Sequence, residues 1–171
     1  MTEQPAAKAK RICRLEAFFT EVWQTRMQGL PILHPALHVE AVAFQRWENG
    51  WLGVMVAPWF MSLLWLPDEL DVPLGRSEDK VIRSLPAGDY EFIVSHEDGI
   101  GSYLSCSLCS PMTAFPDHES ARATAVAVME AILQPSVAAT PDTAASLAET
   151  SSTRRFSRRN LLLGRFSTDK T

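Results

Sequence analysis

The alternation of apolar and polar side chains is clearest between Val39 and Trp47. Large apolar residues alternate there with polar or small ones, which is typical of a strand with one buried face. Glu48-Asn49-Gly50 predicts a tight turn, because Asn and Gly tolerate the positive φ that hairpins need. Residues 51–57 then predict the return strand. Pro58 interrupts it, because proline lacks the N–H that a sheet ladder uses.

A second apolar run, rich in Trp and Met, follows Pro58 and ends at Leu66-Pro67. Core packing accounts for most of these side chains. Because Met and Trp together make an adaptable surface for apolar peptides, we also expect part of the run to line a binding groove. The candidate partner-binding residues are Trp59, Phe60, Met61, Leu64 and Trp65.

A membrane span is not predicted here. Residues 51–66 carry no charge, but they number only 16, whereas a spanning helix needs about 20. Pro58 lies within the stretch and Asp68-Glu69 follows it at once. The pattern therefore favours a hairpin and adjoining hydrophobic surface of a soluble domain.

The rest of the chain predicts helices at both ends and a second hairpin. Helical spacing of apolar residues predicts an amphipathic helix over Arg11–Gln28. Residues 68–88 are expected to form a surface excursion with one short strand near Val81. Alternation around Glu97-Asp98-Gly99 predicts paired strands over Tyr90–His96 and Ile100–Leu108.

Asp117 is a good N-cap for a final helix over His118–Leu133. The predicted buried face of this helix consists of Ala121, Ala125, Val128, Met129 and Ile132. Together these elements predict an α+β fold, a mainly antiparallel sheet of about four to six strands flanked by an N-terminal and a C-terminal helix.

Composition divides the chain into four parts. Residues 1–10 are expected to be disordered and residues 11–134 to form the folded domain. Residues 135–153 are mostly Ala, Ser, Thr and Pro, which predicts a flexible linker because few large apolar groups offset the ordering entropy. Residues 154–171 form a basic tail.

Charge follows the same division. Residues 1–150 hold 10 Lys+Arg and 19 Asp+Glu, a net charge of −9, whereas residues 151–171 hold 6 and 1, a net charge of +5. An acidic body argues against nucleic-acid binding. The basic tail is suited to contact that body or an acidic partner.

The three cysteines are too few for a secreted disulfide framework. Cys106-Ser-Leu-Cys109 has the C-x-x-C spacing of a redox pair or half a metal site. A complete metal site would need two more ligands among His34, His38, His96, His118 and Cys13. The alternative is that both are small buried residues near a strand end.

Catalytic motifs are not evident: there is no Gly-rich phosphate loop, G-x-S-x-G or H-E-x-x-H. We therefore predict no enzymatic activity, catalytic residue, metal or cofactor. The N-terminus lacks the apolar region of a signal peptide, so we expect a cytoplasmic protein without membrane partners.

The tail carries the pattern S-R-R-x-apolar-apolar, which has the form of a twin-arginine export signal. Its residues are Ser157, Arg158, Arg159, Leu161 and Leu162. We do not expect it to direct export, because it lies at the wrong end of the chain and Arg165 soon interrupts its apolar stretch.

Several of these stretches together resemble the HybE/HupJ/HoxT family of [NiFe]-hydrogenase assembly chaperones. The distinctive pieces are P-W-F-M at 58–61 and C-S-L-x-S-P-M at 106–112. Further matching pieces are residues 52–54, 66–67, 85–92 and 157–164. The resemblance spans most of residues 12–165, and the family pattern does not require Cys at position 109.

The resemblance implies a non-enzymatic cytoplasmic helper in hydrogenase maturation. Members are associated with the small, iron–sulfur-carrying subunit, which leaves the cell by the twin-arginine pathway. The expected partners are the small-subunit precursor, its signal peptide and other accessory proteins. A C-x-x-C thiol-redox or metal-carrying accessory protein is the alternative, and protection of the large subunit or the complex from oxygen during assembly is a third interpretation.

Overall fold

The computed structural model describes residues 4–70 and 72–135, with side chains from Lys10 onward. Its elements in chain order are α1 (Gln4–Thr25), β1 (Glu40–Trp47), β2 (Gly50–Val56), β3 (Met61–Pro67), β4 (Lys80–Leu85), β5 (Gly88–Glu97), β6 (Gly101–Cys109) and α2 (His118–Leu133). Neither helix in these ranges combines the length and the apolar character needed to cross a membrane.

The six strands form one sheet in the order β1-β2-β3-β6-β5-β4, and every neighbouring pair is antiparallel. The sheet consists of two three-stranded meanders, β1–β3 and β4–β6, joined where β3 pairs with β6. The predicted α+β architecture, an antiparallel sheet with a helix from each end of the chain, is confirmed.

Strand β3 is buried along its whole length, because the sheet separates two apolar clusters and β3 contributes to both. The larger cluster lies on the α2 side and includes Met61, Leu63 and Trp65. The smaller lies on the α1 side and includes Leu15 and Leu64. A continuous apolar run, instead of alternation, is what a strand covered on both faces requires.

One helix differs from the sequence-based expectation, and one predicted short strand is present. Helix α1 begins at Gln4 instead of Arg11, and so takes in most of the segment expected to be disordered. Pro5 is tolerated in the first turn and Ala and Lys are strong helix formers, so local propensity explains the earlier start. The short strand expected near Val81 is the six-residue edge strand β4.

Helix α1 is fixed to the sheet by polar contacts as well as by Leu15. The guanidinium of Arg11 donates to the carbonyls of Ile100 (3.0 Å), Ser102 (3.1 Å) and Pro67. Burial lowers the pKa of Arg11, and the charge of Asp68 opposes that shift. These contacts give three carbonyls at or next to strand ends a charged donor from the helix.

Polar contacts in its first two turns hold helix α2 to the sheet. The Asp117 carboxylate accepts from the Ser120 amide at 2.7 Å, as the sequence predicts for an N-cap. His118 Nε2 lies 2.7 Å from Glu40 of β1, whose other carboxylate oxygen accepts from Arg122 at 3.0 Å. The predicted buried face of α2 is also confirmed.

Replacing Arg11 with Ala should lower the free energy of unfolding by about 2 kcal/mol, because three strand-end carbonyls lose a charged donor. Urea unfolding followed by Trp fluorescence measures the change. Arg14→Ala is the matched control: Arg14 is exposed and, among the described residues, donates one hydrogen bond, to the Gly99 carbonyl at 3.1 Å. Equal losses from the two substitutions would contradict the anchoring role of Arg11.

The stability of the β1–α2 contact should depend on the protonation of His38. The His38 ring stacks on His118 with centroids 3.4 Å apart. Burial lowers the pKa of His38, His118 adds to this effect and Glu40 opposes it. His38 therefore becomes protonated at a higher pH in the unfolded chain than in the folded chain. The contribution of neutral His38 to the free energy of unfolding is complete above about pH 6.5 and is lost as pH falls through the folded-state pKa.

His38→Gln should consequently lose less stability than the unmodified chain between neutral pH and about pH 5. Urea midpoints across that range measure the difference, and His34→Gln controls for loss of an imidazole in the same connection. If the urea midpoint of the His38 variant fell more steeply with decreasing pH than that of the unmodified chain, the predicted direction of the effect would be wrong.

Candidate functional site

The half of the sheet formed by β4–β6 presents an exposed surface on the α1 side, which we call the open face. Register assigns its side chains: Lys80 pairs with Ile93, Ile82 with Glu91 and Ser84 with Asp89. Ile82 is 60% exposed and Ile93 is 42% exposed. The open face comprises Lys80, Ile82, Ser84, Asp89, Glu91, Ile93, Ser95, Glu97, Ser105 and Ser107.

A groove of about 230 Å³ lies where the open face meets α1. It is lined by Phe19, Phe60, Ser62, Leu64, Ser95, Tyr103 and Ser105. The three serines come from three neighbouring strands, β3, β6 and β5, and their short side chains leave room that bulkier residues would fill. Aromatic and aliphatic walls around a few hydroxyl groups are typical of sites that bind apolar ligands.

One wall of the groove belongs to an edge-to-face series of rings, here called the aromatic row. Trp59 contacts Phe60 with centroids 5.2 Å apart, Phe60 contacts Phe19 at 5.1 Å, and Phe19 contacts Phe18 at 5.1 Å. Trp59 and Phe60 are partly exposed. Edge-to-face contacts of this kind stabilise aromatic pairs beyond the effect of burial alone.

The Tyr103 hydroxyl adds polar character to the groove. Burial raises the pKa of Tyr103 to about 12, the charge of Glu97 adds to this, and a side-chain hydrogen bond with Ser95 opposes it. The phenol is therefore neutral at physiological pH and is available as a hydrogen-bond donor or acceptor.

Acidic groups predominate on β5 within the open face. Glu91 forms an ion pair with Lys80 at 3.1 Å, and Asp89 accepts from Ser84 at 2.6 Å. Glu97 lies close enough to Tyr103 to influence its pKa. Three carboxylates against one ammonium give this surface a negative balance, which suits a basic partner.

The five candidate partner-binding residues are divided between the two sides of the sheet. Trp59 and Phe60 belong to the aromatic row, and Leu64 lies in the groove although it is only 1% exposed. Met61 and Trp65 lie in the larger cluster, away from the groove. The Trp65 indole packs over Gly50, donates to the Trp47 carbonyl at 3.3 Å and carries the Arg83 guanidinium 4.2 Å above its ring.

The sequence did not identify Phe19, Ile82 or Ile93 as parts of a surface. Helical spacing predicts for Phe19 only a place in the amphipathic helix over Arg11–Gln28, and Ile93 lies within the predicted strand over Tyr90–His96. A sequence signal did exist for Ile93: with Tyr90, Phe92 and Val94 on the buried face of β5, an Ile one residue out of phase must point to the opposite side.

The cysteines are not arranged as a reactive pair. Cys106 and Cys109 both lie in β6 and pack against the larger cluster. Three residues of strand separate their Cα atoms by roughly 9–10 Å, beyond the limit of about 7 Å for a disulfide. Burial raises the pKa of Cys109, which disfavours its thiolate.

His38, Glu40 and His118 place three potential ligand atoms within 4.8 Å of one another. Two of the histidines considered as metal ligands therefore do converge, but on Glu40 instead of on the cysteines. Their groups already bond to one another: His118 Nδ1 accepts the His38 amide at 3.4 Å, and its Nε2 faces Glu40. A ligating imidazole normally donates its second N–H outward, so this arrangement fits a structural contact better than a metal centre.

The tail motif, from Ser157 to Leu162, lies outside the described residues, as does the linker from residue 136 onward.

Comparison with known proteins identifies the family. Residues 10–164 match the family model described as "[NiFe]-hydrogenase assembly, chaperone, HybE". The chain is 42% identical over 119 residues to the hydrogenase expression/formation protein HupT of Azotobacter chroococcum, covering 69% of this chain and 78% of that protein. It is 35% identical over 155 residues to HoxT of Cupriavidus necator, covering 82% and 85%.

A solved structure agrees with this assignment. The solution structure of HybE from Escherichia coli superposes with a TM-score of 0.60 at 30% identity, covering 83% of this chain and 91% of that one. The family match extends over both meanders, helix α2, helix α1 from residue 10 onward, and the groove between α1 and the open face. The chain belongs to the HybE family of [NiFe]-hydrogenase assembly chaperones.

Proposed function

We propose that this protein is a cytoplasmic chaperone that binds the precursor of a hydrogenase small subunit, including its twin-arginine signal peptide, before export. Membership of an assembly-chaperone family supports the general role. The choice of client and of binding surface is inferred from the chemistry of the open face. Binding alone performs the function, by holding the precursor until its clusters are in place.

The observation that carries the proposal is the groove beside the aromatic row. It joins an apolar site, lined by Phe19, Phe60 and Leu64, to an exposed surface with Ile82 and Ile93. Exposed large apolar residues grouped on one face are typical of protein interaction sites. A signal peptide offers the matching chemistry, since leucine-type side chains follow its basic residues closely.

Charge supports the same client. The arginine pair of a twin-arginine signal is attracted to a surface that carries Asp89, Glu91 and Glu97 against Lys80 alone. Arginine forms strong bidentate bonds with carboxylates. Apolar contact would supply most of the affinity, and charge complementarity would favour a basic peptide over an acidic one.

The alternative of a redox or metal-carrying protein has no comparable support. It depends on Cys106 and Cys109, whose positions in β6 do not favour disulfide formation. The paired histidines near Glu40 are bonded as a contact between β1 and α2. We therefore do not pursue it as a second candidate.

Ile93→Lys should weaken client binding at least about tenfold, because one buried aliphatic contact contributes about 1.5–3 kcal/mol. The added positive charge also repels the arginine pair. Co-purification of the full chain with the small-subunit precursor, followed by titration with its labelled signal peptide, measures the loss.

Leu30→Lys is the matched control. Leu30 is 44% exposed, close to the 42% of Ile93, but lies in the connection between α1 and β1. The proposal requires that this variant retains full binding. A precursor without its signal peptide should bind more weakly than the intact precursor. Equal capture of the two would overturn the proposal that the chaperone recognises the signal peptide.

A further inference from the structure

The chain leaves the described structure on the α2 side of the sheet, at the turn between β4 and β5 where the open face also ends. The amide of Ala87, in the turn between β4 and β5, donates to the Ile132 carbonyl at 3.1 Å. This bond holds the last turn of α2 against the start of β5. Residues that follow Leu133 therefore begin next to Gly88, the first residue of the strand at the centre of the open face.

The distance from this exit to the groove suits the length of the connecting chain. Ser95 lies seven residues along β5 from Gly88, which is about 23 Å at 3.3 Å per residue. The chain between this exit and Leu161, residues 136–160, numbers 25 residues, and a flexible coil of that length has an end-to-end distance of about 25–30 Å. Effective concentration is highest when these two lengths match.

The segment after this connection is complementary to the open face in charge and in polarity. Residues 151–171 carry a net charge of +5, whereas residues 1–150 carry −9. Arg158 and Arg159 are followed closely by Leu161 and Leu162. On β5, Glu91 and Glu97 lie on either side of Ile93 and Ser95. The open face therefore offers carboxylates within a few residues of an apolar side chain, as the tail offers arginines within a few residues of leucines.

We propose that residues 154–171 dock on the open face of their own chain, with Leu161 or Leu162 at the groove and Arg158 and Arg159 near the β5 carboxylates. The tail thereby imitates the basic and apolar pattern of a twin-arginine signal. This inference rests on the proposed function only in holding that the client peptide competes for the same face.

Docking of the tail on its own chain is favoured over docking on a second copy, because the tether keeps the tail at a high effective concentration near its own open face. A tether of this length gives an effective concentration in the millimolar range. Two separate chains reach such concentrations only in very concentrated solution. A contact of millimolar affinity, too weak to hold two chains together, therefore still occupies much of its own face.

Amide NMR spectra of the full chain test the docking without any client. Arg158→Glu, Arg159→Glu should shift the amides of Ile93, Ser95 and Ser105 relative to the unmodified chain, and leave those of α2 unchanged. The matched control, Arg154→Glu, Arg155→Glu, makes the same change of charge four residues earlier and should produce markedly smaller shifts.

Three results would overturn self-docking. The open-face amides are unchanged in the Arg158, Arg159 variant; the control variant shifts them equally; or the difference disappears on tenfold dilution. The first shows an unoccupied face, the second attraction by charge alone, and the third contact with a second copy.

Competition with the client is measured separately. If the tail occupies about 70–90% of faces, its removal should tighten signal-peptide binding by about three- to tenfold. Titration of the Arg158→Glu, Arg159→Glu full chain with labelled signal peptide measures this. Unchanged peptide affinity alongside shifted amides would overturn competition and leave docking in place, whereas absence of peptide binding in every chain would count against the proposed function alone.

Discussion

A six-stranded sheet has two faces, and the covering of those faces governs the structure of this protein. The larger apolar cluster is closed by α2 and the loops near it. On the other side, α1 lies against β1 and the smaller cluster includes residues of β2, β3 and β6. The β4 and β5 side chains beyond it remain exposed, so the open face and its groove follow directly from the position of one helix.

The position of α1 in turn depends on a few polar contacts. Arg11 binds carbonyls at the ends of β3 and β6, and Glu16 accepts the amide of Ala41 at 2.7 Å. Leu15 is fully buried between them. Because Phe19 lies one turn beyond Leu15, these contacts also fix one wall of the groove. The residues that stabilise the fold thus also set the shape of the candidate site.

The fold class and most elements follow from sequence pattern, since alternation and helical spacing report burial directly. The hairpin near Asn49, the α2 boundaries and the N-cap at Asp117 agree closely with the structure. The site is harder to predict from the sequence, because β3 is apolar on both faces and its pattern does not reveal which side chains reach a surface. Trp65 and Leu64 are neighbours in sequence but belong to different clusters.

The serines of the groove have a thermodynamic consequence. A volume of about 230 Å³ accommodates about seven water molecules at roughly 30 Å³ each. The hydroxyl groups of Ser62, Ser95 and Ser105 can hydrogen-bond to water in part of this space, whereas the rings of Phe19 and Phe60 cannot. Any leucine-sized side chain that enters displaces solvent from apolar walls, which gives association a negative heat-capacity change and makes its enthalpy depend on temperature.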